Sequence, residues 1–566
     1  MTLPRSPQPA PRRNRPVRAR SPNVVIPSRR RKARDLPAGI ARSRYHKSPQ
    51  LDGADAITAI HRTGQSRIPP FALLVSTVHS PAMPELIASP LLRRIVVALI
   101  LLFFVITNLP WRLDDYDQAK QAYTSFEMVQ QGHWLYQHTP NESVATKPPL
   151  VGWLSAALFE ITRWWEGAWR LPSLAAALLL LWLIGRDATA AYGAAAGLIA
   201  LSAVGLNLLA PRLATLVRTD MPLALVTYLI GTQIWWKIRR AAPWTSQDRW
   251  IAFLLLTAAM LIKGPIVYAF ILPGLVVYEI MRRRKGVAPS GWRGAWPWII
   301  SLGIFLLWVW GGIKTQPGFY ESVVLREFAG RFTETVHRPQ PLYFYIPHLL
   351  HKFAPWSLLL IGLAIFFWRR REQLSLRMQP DTVWLVCWSV GGLVLMSVIP
   401  SKRVDRIFPV VAPFSLLLGA QVSAAFRNDR WRRKIEPWLR HILLFACLFT
   451  AGYVAWKIGT GYREKSDALV KFSRKVRSEA AKNGWRYGVV GGREEGMLLY
   501  LRQDHFLAPE AAIAAWKAGR LNALVVRDQP APPWLEELPG ADLRATSETV
   551  RGLPRYLLLV RSSSRR

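Results

Sequence analysis

The chain has 566 residues, 51% of them hydrophobic and 26 of them tryptophan, with a mean hydropathy of +0.13. That is too long and too apolar for one soluble core, and it points to a polytopic membrane protein. The formal net charge of +39 would suit a nucleic-acid binder, but the basic residues fall in one terminal tail and in short loops between apolar runs. A cytoplasmic excess of Lys and Arg accounts for them there, and no nucleic-acid partner is expected.

Residues 1–82, with PRRNRPVRAR and SRRRKARD, are rich in Arg, Pro and Ser and show no apolar periodicity. Such a stretch cannot bury enough surface to fold, so a disordered basic tail is expected. No apolar signal-peptide core follows Met1, whereas Met83 opens MPELIASPLLRRIVVALILLFF, whose span would serve as its own insertion signal. The tail reads either as a cytoplasmic extension or as sequence ahead of the natural start.

The first apolar run, 95–106, leads into a loop at 111–147. Three carboxylates, Asp114, Asp115 and Asp117, crowd its beginning. Gln118 to Gln131 then reads as an amphipathic helix lying along the interface, with Ala122, Phe126 and Val129 on one side. Lys147 stands before Pro148 and Pro149, which suit the first turn of a helix because the N–H they lack there has no helical partner anyway. A cation fixed at a helix mouth and facing carboxylates just outside the hydrocarbon is what a reaction on a membrane-embedded phosphate ester requires. The same acids also read as ordinary solvated loop charges.

Further apolar runs follow at 149–162, 171–185, 192–210, 221–236, 250–262, 265–280, 297–313, 342–352, 355–368, 382–399, 404–424 and 440–456. They predict an all-α polytopic protein of roughly 11–13 transmembrane helices, although several runs fall short of the ~20 residues of a straight span. Basic clusters at Arg239–Arg240, Arg282–Lys285, Arg369–Arg371 and Arg432–Lys434 mark cytoplasmic ends, and the basic N-terminal tail puts the 111–147 loop outside. Arg186 breaks that alternation, so one short early run is expected not to cross. R-T-D-M-P-L-A from Arg218 and L-I-K-G-P from Leu261 read as helix starts at span boundaries.

The second large loop, 313–341, carries an amphipathic piece with Phe319, Val323, Phe328 and Phe332 and the charged residues Arg326, Glu327, Arg331, His337 and Arg338. On physical grounds alone an arginine there is more often a lipid-headgroup anchor. Cys387 and Cys447 lie in separate apolar runs as packing residues. His133, His138, His337, His348 and His351 form no H-E-x-x-H pattern, and no metal is expected. Asn141-Glu142-Ser143 is a formal glycosylation sequon, of a kind frequent by chance. From Gly459 hydropathy drops. A helix with Leu469, Val470, Phe472 and Val476 and strands at Tyr487–Val490, Leu521–Val526 and Tyr556–Val560 predict a small extracytoplasmic α/β domain over 459–566. Its G-V-V-G-G-R-E-E-G lacks G-x-G-x-x-G and reads as a turn.

D-Y-D-Q, F-E-M-V-Q-Q-G-H-W, T-K-P-P-L-V-G-W and W-R-L-P-S, in this order and spacing, resemble the first extracytoplasmic loop of the protein mannosyltransferase and aminoarabinose transferase (ArnT-like) superfamily. These are GT-C membrane glycosyltransferases that use polyprenyl-phosphate sugars. R-E-F-A-G-R-F, H-R-P-Q-P-L-Y-F-Y-I-P and A-P-W-S are similar to its second loop, and P-S-K-R-V-D-R-I-F-P at 400–409 to its S-K-L-x-x-Y-x-x-P element. The resemblance implies a GT-C transmembrane domain over 83–458 with catalytic loops 111–147 and 313–341. It makes Asp117 the essential carboxylate, with Asp115 beside it, and places Lys147, Arg331 and Lys402 at the donor phosphate. His337 and Arg338 become acceptor or loop contacts. Gln118 stands where the family has Glu, and Thr146 replaces the Glu of the aminoarabinose transferases' E-K-P-P, so aminoarabinose is not specified as the sugar.

The implied activity is inverting transfer of a sugar from a polyprenyl-phosphate donor to a lipid A-like lipid or a protein, on the extracytoplasmic face of a bacterial inner membrane. Its partners would be the donor, the acceptor and membrane lipids, with no cofactor. The alternative is a transporter or lipid flippase. That reading calls for mid-span ionisable residues and two related halves, but Glu160 and Glu279 lie near run ends and no internal repeat is visible.

Overall fold

The computed structural model describes residues 89–113, 116–140, 143–285, 294–332, 339–370, 378–491, 495–528, 533–550 and 554–562. The expected basic tail at 1–82 lies outside them. Each apolar run read as a span is wholly or largely helical. The first span is α1, Pro90–Ile106, and the amphipathic piece of the first loop is α2, Tyr116–Gln131. After the prolines that follow Lys147 comes α3, Leu150–Thr162, with Pro149 as its N-cap residue. Helices α4 (Leu171–Tyr192), α5 (Ala194–Gly205), α6 (Ala210–Ala214), α7 (Asp220–Arg239), α8 (Ser246–Lys263), α9 (Ile266–Arg284) and α10 (Trp296–Thr315) continue the bundle. It closes with α11 (Tyr345–Lys352), α12 (Trp356–Arg369), α13 (Pro380–Val398), α14 (Val411–Phe426) and α15 (Asp429–Arg463).

Burial sorts these helices. From Ala195 to Gly205 every residue of α5 is buried, which makes it an interior helix. By contrast, α10 exposes Leu306, Leu307 and Trp310, and α15 exposes Leu444, Phe445 and Leu448. Faces of this kind suit lipid, where a helix satisfies its own backbone and apolar side chains cost nothing to expose. Small residues bring α9 and α13 together: a Cβ at Gly274 would meet the Cys387 carbonyl oxygen at 2.5 Å, a backbone approach typical of membrane helix pairs.

Five helices among the described residues are long and apolar enough to cross a membrane: 168–192, 296–315, 380–398, 404–426 and 429–463. The count rises to six if α11 and α12, bent by 102°, form one span. The other apolar helices fall short of that strict measure for identifiable reasons. Helices α3 and α5 have only 13 and 12 residues, while α8 and α9 have charged turns at Asp248–Arg249 and Arg282–Arg284. Arg186 lies inside α4, paired with Asp187 at 2.7 Å.

After α15 the chain forms α16 (Ala468–Asn483), β1 (Tyr487–Val490), α17 (Glu495–Leu501), α18 (Pro509–Lys517), β2 (Ala523–Arg527), β3 (Ala541–Thr546) and β4 (Tyr556–Arg561). The sheet order is β1-β2-β4-β3, with β1 parallel to β2 and the other pairs antiparallel. Both faces of β2 are covered, which is why it reads as a continuous apolar run. Ala523 and Val525 join Phe472, Val476 and Leu498 on one side, and Leu524 and Val526 meet Trp516 on the other. The edge strand β3 is absent from the sequence reading because only Ala545 on it is buried, and its pairing is interrupted by a register shift between Leu543 and Ala545.

This layer is not detached from the helices. Leu113, Ala122, Tyr123 and Phe126 share its core, together with Phe159 and Trp169. The Tyr500 hydroxyl accepts from the Leu113 amide, and Arg474 pairs with Glu166.

Candidate active site

On α2, Asp117, Lys120, Gln121 and Thr124 recur at helical spacing and so share one face. That face borders a cavity of about 670 Å³. The loop after α2 returns along the cavity through Gln137 and Thr139, pinned by a bridge between His138 and Val144, and delivers Lys147 at the mouth of α3. Arg218 enters from the turn between α6 and α7, Asp220 from the first turn of α7, and Lys263 from the last turn of α8. A π-helical stretch, Tyr320–Phe328, contributes Ser322, Arg326 and Glu327. Arg403, Asp405 and Arg406 come from the segment that follows α13.

Charges in this cavity hold one another. Oδ2 of Asp117 accepts a hydrogen bond from Arg403 Nη2 at 2.8 Å and lies 3.2 Å from Arg218 Nη2. Burial alone would push the Asp117 carboxyl up, but the Arg403 hydrogen bond and charge, with help from Arg218 and Lys147, outweigh it and hold the group below the usual carboxylate range. Arg218 also donates to Asp405 at 3.2 Å, and Arg212 donates to the other oxygen of Asp405 at 2.8 Å. Lys147 pairs with Glu327, and Lys263 with Asp220. Basic side chains outnumber acidic ones along the wall, so an anion entering the cavity finds cations already in place, held by carboxylates it can displace.

Of the residues singled out in the sequence, Asp117 and Lys147 meet in this cavity. Lys402 does not line it: its ammonium donates to the Gln340 carbonyl at 2.8 Å, and burial pushes its pKa down. Its neighbours Arg403 and Arg406 face the cavity instead. Asp115, His337 and Arg338 lie outside the described residues, as does the side chain of Arg331. Arg218, Asp220 and Lys263 belong to the two motifs read as plain helix starts. The signal that unites them with Lys147 and Arg403 is position, since these charges stand at the ends of four different apolar runs. The histidines that look scattered in sequence also converge in part, for Glu127, His133 and His138 offer ligand atoms within 4.8 Å of one another.

No known family model matches the chain. Over 347 residues it is 26% identical to undecaprenyl phosphate-alpha-4-amino-4-deoxy-L-arabinose arabinosyl transferase 1 of Sodalis glossinidius, which covers 57% of this chain and 58% of that protein. A transferase of the same description from Pectobacterium carotovorum is 26% identical over 384 residues, 64% of this chain and 65% of that one. The chain thus spans roughly three-fifths of the length of these curated relatives. Among solved structures, ArnT from Cupriavidus metallidurans bound to undecaprenyl phosphate superposes with a TM-score of 0.58 at 18% identity, over 83% of this chain and 98% of that one. The chain has the GT-C fold. The likeness takes in nearly the whole of that neighbour, so it is one of architecture and not of a single helix pair. Within this GT-C fold the cavity lies between the first loop and the ends of α7, α8 and the segment before α14.

Proposed function

We propose that the chain is an inverting membrane glycosyltransferase, which moves a sugar from a polyprenyl-phosphate donor to a lipid A-like lipid or a protein on the extracytoplasmic face of a bacterial inner membrane. The observation that carries this reading is the Asp117 carboxylate held between Arg403 and Arg218 on the wall of a cation-rich cavity. The names of its sequence relatives, transferases that use an undecaprenyl-phosphate sugar, support it.

The chemistry needs both signs of charge. As the anomeric carbon–oxygen bond breaks, its electron pair goes to the departing phosphate, whose charge grows, and Arg403, Arg218 and Lys147 are poised to stabilise that growth. Arriving donor phosphate competes with Asp117 for the two guanidinium groups. Loosened from them, Asp117 becomes a stronger base and accepts the proton of an acceptor hydroxyl attacking from the opposite face of the sugar.

Sidedness follows from shared packing. The first loop and the α/β layer have one core, which supports one side for both, and the excess of Lys and Arg at the other span ends favours the extracytoplasmic one. Cysteines placed at the exposed positions Gln131 and Ser478 should react with an impermeant thiol reagent in intact cells; labelling only after lysis would reverse the orientation. The activity itself is tested by giving membranes that contain the chain a panel of radiolabelled polyprenyl-phosphate sugars and identifying the labelled product. Label should pass to a lipid or protein, and label that remains on the donor across the panel would count against transfer.

A further inference from the structure

At the far end of α2 from Asp117, three side chains turn toward one point. The Glu127 carboxylate is buried, with its side chain 1% exposed, and Oε1 pairs with Nδ1 of His133 and lies 3.6 Å from Nδ1 of His138. The two Nδ1 atoms are 3.2 Å apart, with the rings set edge to face at 72°. The other nitrogen of His138, Nε2, lies 3.1 Å from the Gln316 amide oxygen. That oxygen can only accept, so Nε2 carries a proton, and in the neutral ring Nδ1 of His138 presents its lone pair to the cluster. A proton on Nδ1 of His133 can satisfy Glu127 or His138 but not both, whereas a single cation satisfies all three.

We propose that Glu127, His133 and His138 bind one divalent transition-metal ion of the zinc type. Two imidazole nitrogens and one carboxylate oxygen form a ligand set zinc commonly takes, with the fourth position left to water. Two nitrogens ~2.05 Å from a common ion and 3.2 Å apart subtend roughly 103°, close to the tetrahedral angle. Gln316 is the outer partner that fixes the His138 ring, as carbonyl and carboxylate groups do for metal-bound histidines generally. The half-exposed His133 ring leaves a path for the ion to enter.

Bound there, the ion ties three pieces of the cavity wall together. Glu127 belongs to the helix that carries Asp117, and His138 lies between the cavity residues Gln137 and Thr139. Gln316 ends α10, just ahead of the π-helical stretch that carries Glu327. The metal is a brace for the reaction site and takes no part in bond making.

The test is the metal content of purified, tag-free, full-length protein after exposure to zinc and desalting. About one zinc per chain is expected in the wild type and at least ~10-fold less in Glu127→Gln and in the His133→Ala, His138→Ala double variant. Gln316→Ala should weaken zinc affinity by about 10–100-fold. Because a variant can lose zinc by misfolding, Co²⁺ is also added to metal-stripped wild type. Visible d–d bands that disappear on adding one equivalent of zinc are expected. Wild-type protein that holds no more zinc than the double variant, or shows no Co²⁺ bands, overturns the proposal.

Discussion

One face of α2, with Asp117, Lys120, Gln121 and Thr124, borders the cation-rich cavity, while the other, with Ala122, Tyr123 and Phe126, is sealed beneath the C-terminal α/β layer. The sealed face gains its stability from area and aromatic contact: Phe126 lies edge to face with Phe159 and Trp169 and is 3% exposed. The open face holds charges that cost desolvation energy and repay it only through one another. The difference teaches that the helix is anchored by one side so that the other can hold a carboxylate in a position the fold alone would not favour. Substitutions on the two faces should therefore fail in different ways.

The largest effect belongs to the open face. Asp117→Asn keeps size and removes basicity, so turnover should fall by ~10²–10⁴ while stability falls only by the modest contribution of a part-exposed ion pair, about 1 kcal/mol or less. A large loss of stability would mean that this face, too, is structural. On the sealed face Phe126→Ala should cost about 3–5 kcal/mol in denaturant unfolding, and the protein that remains folded should turn over at the parental rate. Reduced turnover per folded molecule would show that the two faces are coupled.

Arg403→Ala sharpens the comparison within the cavity. It removes a charge-assisted hydrogen bond worth about 1.5–3 kcal/mol, or roughly 10–100-fold in donor affinity. It also removes the interactions that most strongly lower the Asp117 pKa. Because the folded value is depressed, the stability contributed by Asp117 is present above the ordinary carboxylate pKa of ~3.9 and lost as pH falls through the lowered value. In Arg403→Ala that window closes from the acid side, and the acid limb of kcat/KM should move to higher pH. The smallest effect on the donor is expected from Lys402→Ala. Its ammonium serves the Gln340 carbonyl, so the variant should lose about 1.5 kcal/mol of stability or more and bind donor as the parent does.

Much of this was legible in the sequence, and the gaps have physical causes. Amphipathic spacing gave away α2, and the prolines after Lys147 gave away the mouth of α3. The partners of Asp117 were harder to see, because Arg218 and Arg403 are 101 and 286 positions along the chain from it and each sits in an ordinary span-end sequence. Only folding shows that those ends converge. Lys402 and Arg403 are adjacent, and which of them faces the cavity depends on the turn that precedes Val404–Val410. Glu127, His133 and His138 come together because the bridge at Val144 folds their loop back, a pairing that no short motif encodes. The α/β layer was legible where strands are buried on both faces and illegible at β3, whose side chains mostly meet solvent.

The central claim is that Asp117 occupies the arginines that the donor phosphate will claim. Its most direct test is the affinity of purified full-length protein for a sugar-free polyprenyl phosphate, measured for wild type, Asp117→Asn and Arg403→Ala in the same lipid. Asp117→Asn should bind at least as tightly as wild type, because a competitor for Arg403 and Arg218 has been neutralised, and Arg403→Ala should bind more weakly. Absence of binding by the wild type, or a loss in Asp117→Asn as large as that in Arg403→Ala, would contradict the account.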